Sequence, residues 1–416
     1  MHKKLLVLLY WEKNTWYALG PLAASLTQNK IAYEVVRGDV THTVETRINQ
    51  GFSVVYGESS RNMSLNVQRK RLEHLVQTIP NANLITIVGG PQATGDPETF
   101  LDMGVDFVVV GEGEVTFPLL VKSLIKNNFR REAVKDIPGI SYRNGTGDAR
   151  RTKMPDRINL DEYPCYSDNA NFPLHPPIEL MRGCAFRCKF CQVPYMYGNP
   201  RFRSIENVVK IVRHYADNFQ FKDSVDIRFI APNSLGYMEK RRGQANYLAL
   251  KELIHQIGHF DIRLFLGTFP SEVRPEYITE ETIGLFDDVA NDNISVGIQS
   301  GSDRILAYMR RGHTVNVVWK AHDLITAHGI TPVFDFILGS PTESENEQWE
   351  TIDLIRDLGK KSQVRLHYFM PLPWTPWKNA APSPVYDTIQ IEIGRLARDK
   401  IIVGDFTKQY RYTENS

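Results

Sequence analysis

Two series of short apolar runs, each alternating with amphipathic stretches, constrain what this chain can fold into. Over residues 1–130 the runs are rich in Val, Ile and Leu and lack period-2 alternation, which is typical of parallel strands buried on both faces. This pattern predicts an α/β domain of the doubly wound (Rossmann-like) type, with five strands and a ligand at their carboxyl ends. The strands are expected at Lys4–Tyr10, Tyr33–Arg37, Phe52–Tyr56, Leu84–Val88 and Phe107–Val110, and helices at Gly20–Gln28, Leu65–Thr78 and Thr116–Asn127.

The second series begins at Pro177, with longer spacing between the runs. Its six β/α units predict an open partial (β/α)6 barrel over residues 177–374, whose active site lies where the strands end. Strands are expected at Ile178–Met181, Val225–Ile230, Ile262–Gly267, Ile294–Ile298, Val333–Leu338 and Val364–Phe369, and helices at Ile205–Asn218, Tyr247–Ile257, Glu280–Val289, Val315–His328 and Glu345–Leu358. Pro and Gly turns predict a linker at residues 131–176, with one hairpin around Asn144–Gly147, and residues 375–416 are expected to form a short C-terminal extension.

Charge and hydrophobicity narrow the class of protein. The 416 residues carry 49 Lys and Arg against 48 Asp and Glu, a net charge of +1. Nucleic-acid enzymes usually carry a basic excess, so the balance argues against a nucleic-acid partner. No apolar stretch approaches the ~20 residues that cross a bilayer. The run Leu5–Trp11 is followed by no small-residue cleavage site, so we expect a buried first strand and a cytoplasmic protein without a membrane partner.

Three of the four cysteines fall within eight residues, as Cys184-x3-Cys188-x2-Cys191. A disulfide framework would spread its cysteines along the chain. Clustered soft thiolates favour iron–sulfur or zinc. A closed structural zinc site needs four ligands, which here would mean adding Cys165 or a histidine. A four-iron cluster on three cysteines instead keeps one iron open for another ligand, and we favour that interpretation.

The cysteine spacing, with the aromatic Phe190 before the last cysteine, resembles the radical S-adenosylmethionine (SAM) superfamily. Gly297–Thr314, Asp335–Glu343 and His367–Pro373 are similar to motifs at its fourth, fifth and sixth strands. The resemblance implies that the cysteines hold a [4Fe-4S] cluster whose open iron binds the amino and carboxylate groups of SAM. One electron from an external donor such as ferredoxin or flavodoxin then releases a 5′-deoxyadenosyl radical, chemistry that the cofactors carry.

The same resemblance implies SAM contacts at the strand ends. Asn233 and Ser234 are candidates for the amino group or the substrate, whereas the carboxylate would pair with Arg310 or Arg311. The alternative for these two arginines is a solvated helix face. The full set of expected SAM contacts is Phe190, Asn233, Ser234, Ser271, Glu272, Gln299, Ser300, Arg310, Arg311, Gly339, Tyr368 and Phe369.

The segments Gly89–Thr94 and Gly111–Glu114 resemble loops of the cobalamin-binding domain that precedes many radical SAM domains. A nucleotide-binding alternative lacks the Gly-x-Gly-x-x-Gly that it would carry after the first strand. The Asp-x-His-x-x-Gly of free-standing cobalamin domains is also missing, since Asp39–His42 has the wrong spacing, so we expect cobalamin without a lower histidine ligand. Implied cobalamin contacts are Tyr10, Trp11, Ser59, Ser60, Arg61, Asn62, Gly89, Gly90, Pro91, Gln92, Gly111, Glu112, Gly113 and Glu114, with the loop Ser59–Met63 on the lower side of cobalt.

Together these features predict a cobalamin-dependent (class B) radical SAM C-methyltransferase that methylates an unactivated carbon. We expect a peptide or protein substrate, read partly by Trp374 and Trp377, although packing of these residues against the barrel is the alternative. The compact two-domain chain looks similar to the glutamine C-methyltransferase type that acts on methyl-coenzyme M reductase. A small molecule, methylated, cyclised or rearranged, remains the alternative substrate, and a non-enzymatic cobalamin or iron–sulfur sensor is a further alternative.

Methylthiotransferases share the Gln299–Thr314 pattern with this chain. They need a second cysteine set in their N-terminal domain, and no cysteine precedes Cys165 here. The sequence therefore argues against that activity.

Overall fold

The computed structural model describes residues 4–13, 16–79, 82–168, 176–218 and 225–414. The chain divides into two compact units, Met1–Pro176 and Pro177–Ser416. Among the described residues, no helix combines the length and the hydrophobicity needed to cross a bilayer.

The first unit is built on one mostly parallel sheet with helices between its strands. The strands are β1 Lys4–Tyr10, β2 Tyr33–Val36, β3 Phe52–Ser59, β4 Leu84–Gly89, β5 Phe107–Val109, β6 Ile140–Arg143 and β7 Ala149–Arg151. The helices are α1 Leu19–Gln28, α2 Val40–Asn49, α3 Leu65–Thr78, α4 Gly90–Gly95, α5 Pro97–Asp102 and α6 Gly113–Lys126.

The sheet has the order β2-β1-β3-β4-β5-β6-β7. Strands β1 to β5 are parallel, which confirms the doubly wound arrangement. Val7, Val55 and Ile85 are fully buried at its centre, as expected of strands covered on both faces. The strand order reverses between β1 and β3, and in sheets of this order the ligand lies at that switch point.

The segment predicted as a linker contributes to this sheet. Its expected hairpin is confirmed as β6 and β7, and β6 pairs antiparallel with β5 through Val109 and Ile140. Glu112 Oε2 also accepts a hydrogen bond from the Ile158 N–H at 2.9 Å, which ties the rest of the segment to the end of β5. Turn residues mark this segment in the sequence, but its strands are too short to produce a periodic pattern.

The second unit is an open β/α barrel. Its strands are β8 Ile178–Glu179, β9 Met181–Arg182, β10 Arg201–Phe202, β11 Val225–Ile230, β12 Ile262–Phe265, β13 Asn293–Gln299, β14 Thr331–Leu338, β15 Gln363–Tyr368 and β16 Ile402–Val403. Its helices are α7 Val193–Tyr197, α8 Ile205–Asn218, α9 Tyr247–Ile257, α10 Glu280–Ile283, α11 Asp303–Tyr308, α12 Val315–Ala327, α13 Glu345–Leu358, α14 Asp387–Arg398 and α15 Phe406–Glu414.

The barrel strands run parallel in the order β8-β11-β12 and β13-β14-β15-β16. A parallel bridge pairs Val273, which follows β12, with Val296 of β13, and so links the two sheets of the barrel. The predicted C-terminal extension adds β16, a short parallel strand that pairs Ile402 with Val364. It also supplies α14 and α15, and α15 packs against β15. The extension therefore completes the barrel edge.

Two predicted elements of the barrel differ from the structure. The strand expected at Ile178–Met181 is split at Leu180, because β9 turns to pair antiparallel with β10 while the Leu180 N–H donates to the Ile230 carbonyl. The helix expected at Glu280–Val289 is α-helical only to Ile283 and continues as a 3₁₀ helix over Gly284–Asp288.

A substitution at Gly20 tests the packing of α1 against the backbone of Cys165. A Cβ at this position would lie 2.0 Å from the Cys165 carbonyl oxygen, whereas a Cβ on Gly394 in α14 would meet no atom within 4 Å. Gly20→Ala should lower the free energy of unfolding by about 1–3 kcal/mol, because the clash with backbone outweighs the better helix propensity of Ala. Gly394→Ala, the matched control, should raise it by up to about 1 kcal/mol. Denaturant unfolding measures both, and a stabilising Gly20→Ala would contradict this packing.

Candidate functional site

A cavity of about 380 Å³ in the second unit is lined by Cys184, Cys188 and Cys191. The three residues lie on the loop between β9 and α7, and the backbone of this loop is firmly held. The Cys184 N–H donates to the Gly198 carbonyl at 3.0 Å, and the Cys191 N–H donates to the Cys188 carbonyl at 3.2 Å. The sequence therefore brings its three clustered thiols to one wall of one cavity.

Without a metal, two of these thiols keep their protons at neutral pH. Burial raises the pKa of the Cys191 thiol to about 12, and burial also raises the pKa of Cys184. Such groups ionise when a metal replaces the proton. Within the described ranges, no three Cys, His, Asp or Glu side chains are grouped closely enough for a single ion. The three cysteines of the cavity lining match the three ligands of a four-iron cluster with one open iron, whereas a closed zinc site needs a fourth ligand.

Three polar side chains meet beside the cysteines, above Gly297. A Cβ on this glycine would lie 2.8 Å from Glu272 Oε2, 2.8 Å from Gln299 Nε2 and 3.4 Å from Arg311 Nη2. Strand β13 has an irregular register between Gly297 and Gln299, and Gln299 has a φ of 87°. Non-glycine residues in this region are strained, and such strain often accompanies binding sites. Gly297 is needed here because it leaves room for all three groups.

Glu272 has an unusual electrostatic environment. Desolvation by the cavity walls raises the pKa of its carboxyl, although the side chain is exposed to the cavity, and the nearby charge of Asp335 adds to that effect. The guanidinium groups of Arg365 and Arg311 oppose the shift. A carboxyl with a raised pKa that lies in a cavity is a candidate functional residue.

A hydrogen-bond chain crosses the cavity wall behind Glu272. Arg365 Nη2 donates to Asp335 Oδ2 at 2.5 Å, and His367 Nε2 lies 3.3 Å from Asp335 Oδ1. Gln409 Nε2, on α15, lies 3.3 Å from His367 Nδ1. Because the Gln409 amide nitrogen can only donate, this chain assigns the imidazole proton to Nε2. The C-terminal helix is thus part of the cavity wall.

The predicted SAM contacts divide into two groups. Those that line the cavity are Phe190, Glu272, Gln299, Arg311, Tyr368 and Phe369. Those that lie outside its lining are Asn233, Ser234, Ser271, Ser300, Arg310 and Gly339.

The second group is used mainly to hold the loops in place. The Ser271 hydroxyl donates to the Phe229 carbonyl at 2.8 Å, and the Ser300 hydroxyl lies 3.3 Å from Thr351 Oγ1. Asn233 Oδ1 accepts the Arg274 N–H at 3.2 Å. Arg310 is exposed, as the solvated-face alternative for the two arginines expects, whereas Arg311 is buried.

The remaining members of the second group have other surroundings. Ser234 is fully buried and its N–H donates to the Glu272 carbonyl at 2.9 Å. Gly339 has a φ of +78°, and a Cβ there would lie 2.2 Å from Tyr368 Cε2. It therefore permits the Tyr368 ring to pack closely.

The predicted SAM contacts leave out several residues of the cavity lining, three of which lie in the fifth- and sixth-strand motif segments: Phe186, Arg274, Asp335, Ile337, His367 and Gln409. The available signal was strand alternation, which sends every second side chain to the barrel interior. Glu272 and Arg274 share this spacing, as do Asp335 and Ile337. Gln409 carried no such signal, because it reaches the cavity from a helix after the barrel.

Trp377 has a packing role. It is 5% exposed, and its ring lies 5.4 Å from that of Phe369 and 5.2 Å from that of Tyr308. These contacts favour packing over substrate recognition as the role of Trp377, whose ring supports that of Phe369 in the cavity lining.

A second candidate site lies at the β1/β3 switch point of the first unit. Several buried side-chain polar atoms here have no hydrogen-bond partner within the described part of the chain: Trp11 Nε1, Ser60 Oγ, Arg61 Nε, Asn62 Oδ1 and Gln92 Oε1. Each such atom costs about 1–3 kcal/mol when left unsatisfied. Because all five belong to residues predicted as cobalamin contacts, the site fits a ligand with many amide donors and acceptors.

Glycines shape this site closely. Gly90 has a φ of +90°, and a Cβ there would lie 2.5 Å from Ser59 Oγ and 2.7 Å from the Ser60 carbonyl oxygen. The Ser60 N–H donates to the Gly89 carbonyl at 2.8 Å. The loop after β3 therefore rests directly on the start of α4, whose first turn contains Pro91.

Glu58 is a residue of this region that sequence reasoning missed. Its carboxylate is buried and accepts hydrogen bonds from Tyr56 Oη and Gln68 Nε2, each at 2.6 Å, and from Arg71 Nε at 3.0 Å. The Arg71 guanidinium in turn lies 4.1 Å from the centre of the Tyr10 ring. The sequence signal for this residue was a single acidic side chain near the end of the apolar run that forms β3.

The Gly111–Glu114 loop, which is predicted to contact cobalamin, also makes contacts within the first unit. Glu112 binds the Ile158 N–H through its carboxylate, and the Gly111 N–H donates to Thr94 Oγ1 at 3.0 Å. Gly113 and Glu114 form the first turn of α6. The Glu112 carboxylate is therefore a structural tie, since its oxygen is already used within the unit.

Asp39 and His42 also have a local role. The Asp39 side chain accepts the His42 N–H at 3.1 Å and caps α2, and the His42 side chain is exposed. This pair is a helix cap of the usual kind.

Comparison with known proteins identifies the barrel. Residues 178–355 match the family model described as the radical SAM superfamily. The second unit contains a radical SAM domain. The match includes the three cysteines and the converging residues Glu272, Gln299 and Arg311.

Curated relatives share part of this chain. A Methanocaldococcus jannaschii protein provisionally named a methylthiotransferase is 27% identical over 296 residues, which is 67% of this chain and 59% of that protein. The tRNA-2-methylthio-N(6)-dimethylallyladenosine synthase of Chromohalobacter salexigens is 32% identical over 206 residues, 49% of this chain and 44% of that protein. The chain thus covers about half the length of these relatives.

Solved structures share the fold of the chain. The radical SAM methyltransferase TsrM from Kitasatospora setae has a TM-score of 0.70 at 15% identity, covering 90% of this chain and 77% of TsrM. The cobalamin-dependent SAM radical enzyme OxsB has a TM-score of 0.69 at 17% identity, covering 99% of this chain and 56% of OxsB. These likenesses establish the combination of a doubly wound unit and a partial barrel.

Proposed function

We propose that this chain is a cobalamin-dependent radical SAM C-methyltransferase. The observation that carries the proposal is the set of buried, unsatisfied polar atoms at the β1/β3 switch point of a chain that also has a radical SAM domain. Supporting it, the TsrM structure contains cobalamin and a [4Fe-4S] cluster, and the OxsB structure contains aqua-cobalamin.

In the barrel, Cys184, Cys188 and Cys191 would hold a [4Fe-4S] cluster with SAM beside it. When bound, these groups supply a 5′-deoxyadenosyl radical that removes a hydrogen atom from the substrate. Arg311 would bind the SAM carboxylate, because its guanidinium lies with Glu272 and Gln299 above Gly297. The cluster receives its electron from an external carrier such as ferredoxin or flavodoxin.

The aromatic residues of the cavity have a protective role in this proposal. Phe186, Phe190 and Phe369 line the cavity together with the cysteines. Their apolar surfaces keep water from a reactive radical.

In the first unit, Trp11, Ser60, Arg61, Asn62 and Gln92 would bind the amide groups around the corrin ring. Bound cobalamin supplies the methyl group. The loop Ser59–Met63 would face the lower side of cobalt, where no histidine is expected because His42 belongs to a helix cap. A weakly ligated lower face eases loss of the methyl group, since axial ligation tunes a metal.

The substrate we propose is a peptide or protein side chain, with glutamine, as in methyl-coenzyme M reductase, as the first residue to test. Asp335, His367 and Gln409 support this choice, because they make part of the cavity wall polar and so suit a substrate that carries an amide group. The balanced charge and the absence of a long apolar run support a cytoplasmic enzyme that binds neither nucleic acid nor membrane. A small molecule, methylated, cyclised or rearranged, is the second candidate.

Methylthiolation, which the names of the curated relatives suggest, has less support than C-methylation. It calls for a second set of cysteines before the barrel, and the sequence has none before Cys165. Cys165 itself is buried in the first unit, with its carbonyl against Gly20.

Replacing one cluster ligand tests the barrel site. Cys188→Ala should abolish the visible absorbance of the reconstituted cluster and lower SAM cleavage at least a hundredfold, while cobalamin stays bound. The physical reason is that a four-iron cluster loses one of three protein ligands. Cys165→Ala is the matched control and should keep both cluster and cleavage. Retained cleavage in Cys188→Ala would contradict the site.

Replacing Gly90 tests the switch-point site. Gly90→Val should abolish cobalamin binding, measured by retention of corrin absorbance after gel filtration, because the side chain would displace the Ser59–Ser60 loop. Gly104→Val is the control, since Gly104 also has a positive φ of +86° but lies before β5, at the opposite edge of the sheet. The control should keep cobalamin, and both variants should keep the cluster. Tight cobalamin binding by Gly90→Val would contradict this site.

A further inference from the structure

Arg274 is a buried guanidinium beside the cluster cysteines that no motif pointed to. It is 4% exposed, and its Nη1 lies 3.7 Å from Cys188 Sγ. The guanidinium carbon lies 3.5 Å from the centre of the Phe186 ring, on the same loop as the cysteines. Arg274 therefore contacts the cluster loop in two ways, by an N–H donor to sulfur and by stacking on an aromatic ring.

Other groups hold this guanidinium in one orientation. Nε donates to Glu276 Oε1 at 2.6 Å, and Nη2 donates to the Arg311 carbonyl. Glu276 Oε2 lies 3.4 Å from His313 Nδ1. Burial raises the pKa of Glu276, but His313 and Arg274 outweigh it and hold that pKa at about 2. Glu276 thus stays ionised and keeps Arg274 directed at the sulfur.

Arg311 approaches the same sulfur from another side. Its Nη1 lies 3.6 Å from Cys188 Sγ, and its Nη2 donates to the Gly297 carbonyl, next to Glu272 and Gln299. This side of the cavity holds the polar groups expected to contact SAM. Arg274 faces Phe186 instead, so the two cations are placed for different tasks.

We propose that Arg274 is a positioning residue that raises the reduction potential of the cluster by donating an N–H···S hydrogen bond to Cys188. The inference rests on the cluster in the proposed function. Reduction adds one electron from the external carrier to the cluster and its sulfurs, and no bond or proton changes at Arg274. A buried positive donor stabilises the more negative, reduced state, because hydrogen bonds and charge near the sulfurs tune iron–sulfur potentials.

An EPR-monitored redox titration of the full, reconstituted chain, without SAM or cobalamin, tests this role. Arg274→Gln should shift the midpoint potential to more negative values, because it removes the charge and the guanidinium. Arg274→Lys should give a smaller shift in the same direction, since lysine keeps the charge but not the planar fork. Arg228→Gln is the matched control: Arg228 lies 4.1 Å from the centre of the Phe265 ring and donates to Thr268, and its loss should leave the potential unchanged.

The outcomes separate this inference from the proposed function. If the wild-type chain forms no cluster, the proposed function is wrong. If Arg274→Gln holds a cluster whose potential equals that of the wild type, the inference is wrong. If that variant loses the cluster, Glu276→Gln decides, because it loosens Arg274 without touching the cysteine loop. It should shift the potential to more negative values, and an unchanged potential would overturn the inference.

Discussion

Burial of the cysteine thiols is the constraint on which the rest of the barrel site depends. The pKa of the partly buried Cys191 thiol is raised to about 12 because its surroundings disfavour the charged form, and a bound metal would replace its proton. The buried guanidinium groups of Arg274 and Arg311, both beside Cys188, offset the negative charge that the thiolates bring. Buried charges need such partners, and the loops around the barrel supply them.

Glycine and parallel strands together account for where both sites lie. Parallel strands end at one edge, and each site needs several loops to converge there. Gly297 leaves room for three polar side chains in the barrel, and Gly90 lets two loops touch in the first unit. At each place a Cβ would occupy the space that the neighbouring groups use.

The sequence was sufficient for the fold class, because both units rest on apolar strands with clear spacing, and for the three cysteines, whose spacing is local. It was insufficient where function depends on contacts between distant segments. Ser271 and Ser300 follow strands as expected, yet their hydroxyls are held by neighbouring groups. Arg274 lies two residues after the predicted contact Glu272 but outside any regular strand, and Gln409 lies on a helix beyond the barrel, so only contacts between distant segments show that both line the cavity.

The proposed function implies that one chain uses SAM both to form a radical and to supply the methyl group that bound cobalamin transfers. The direct measurement incubates the anaerobically reconstituted chain with cobalamin, SAM and a strong reductant, and follows 5′-deoxyadenosine and methylcobalamin by mass spectrometry. The account predicts that both products form, and that neither forms when SAM is omitted. Deoxyadenosine without methylcobalamin would contradict the methyltransferase, and the absence of both products would contradict the radical SAM site itself.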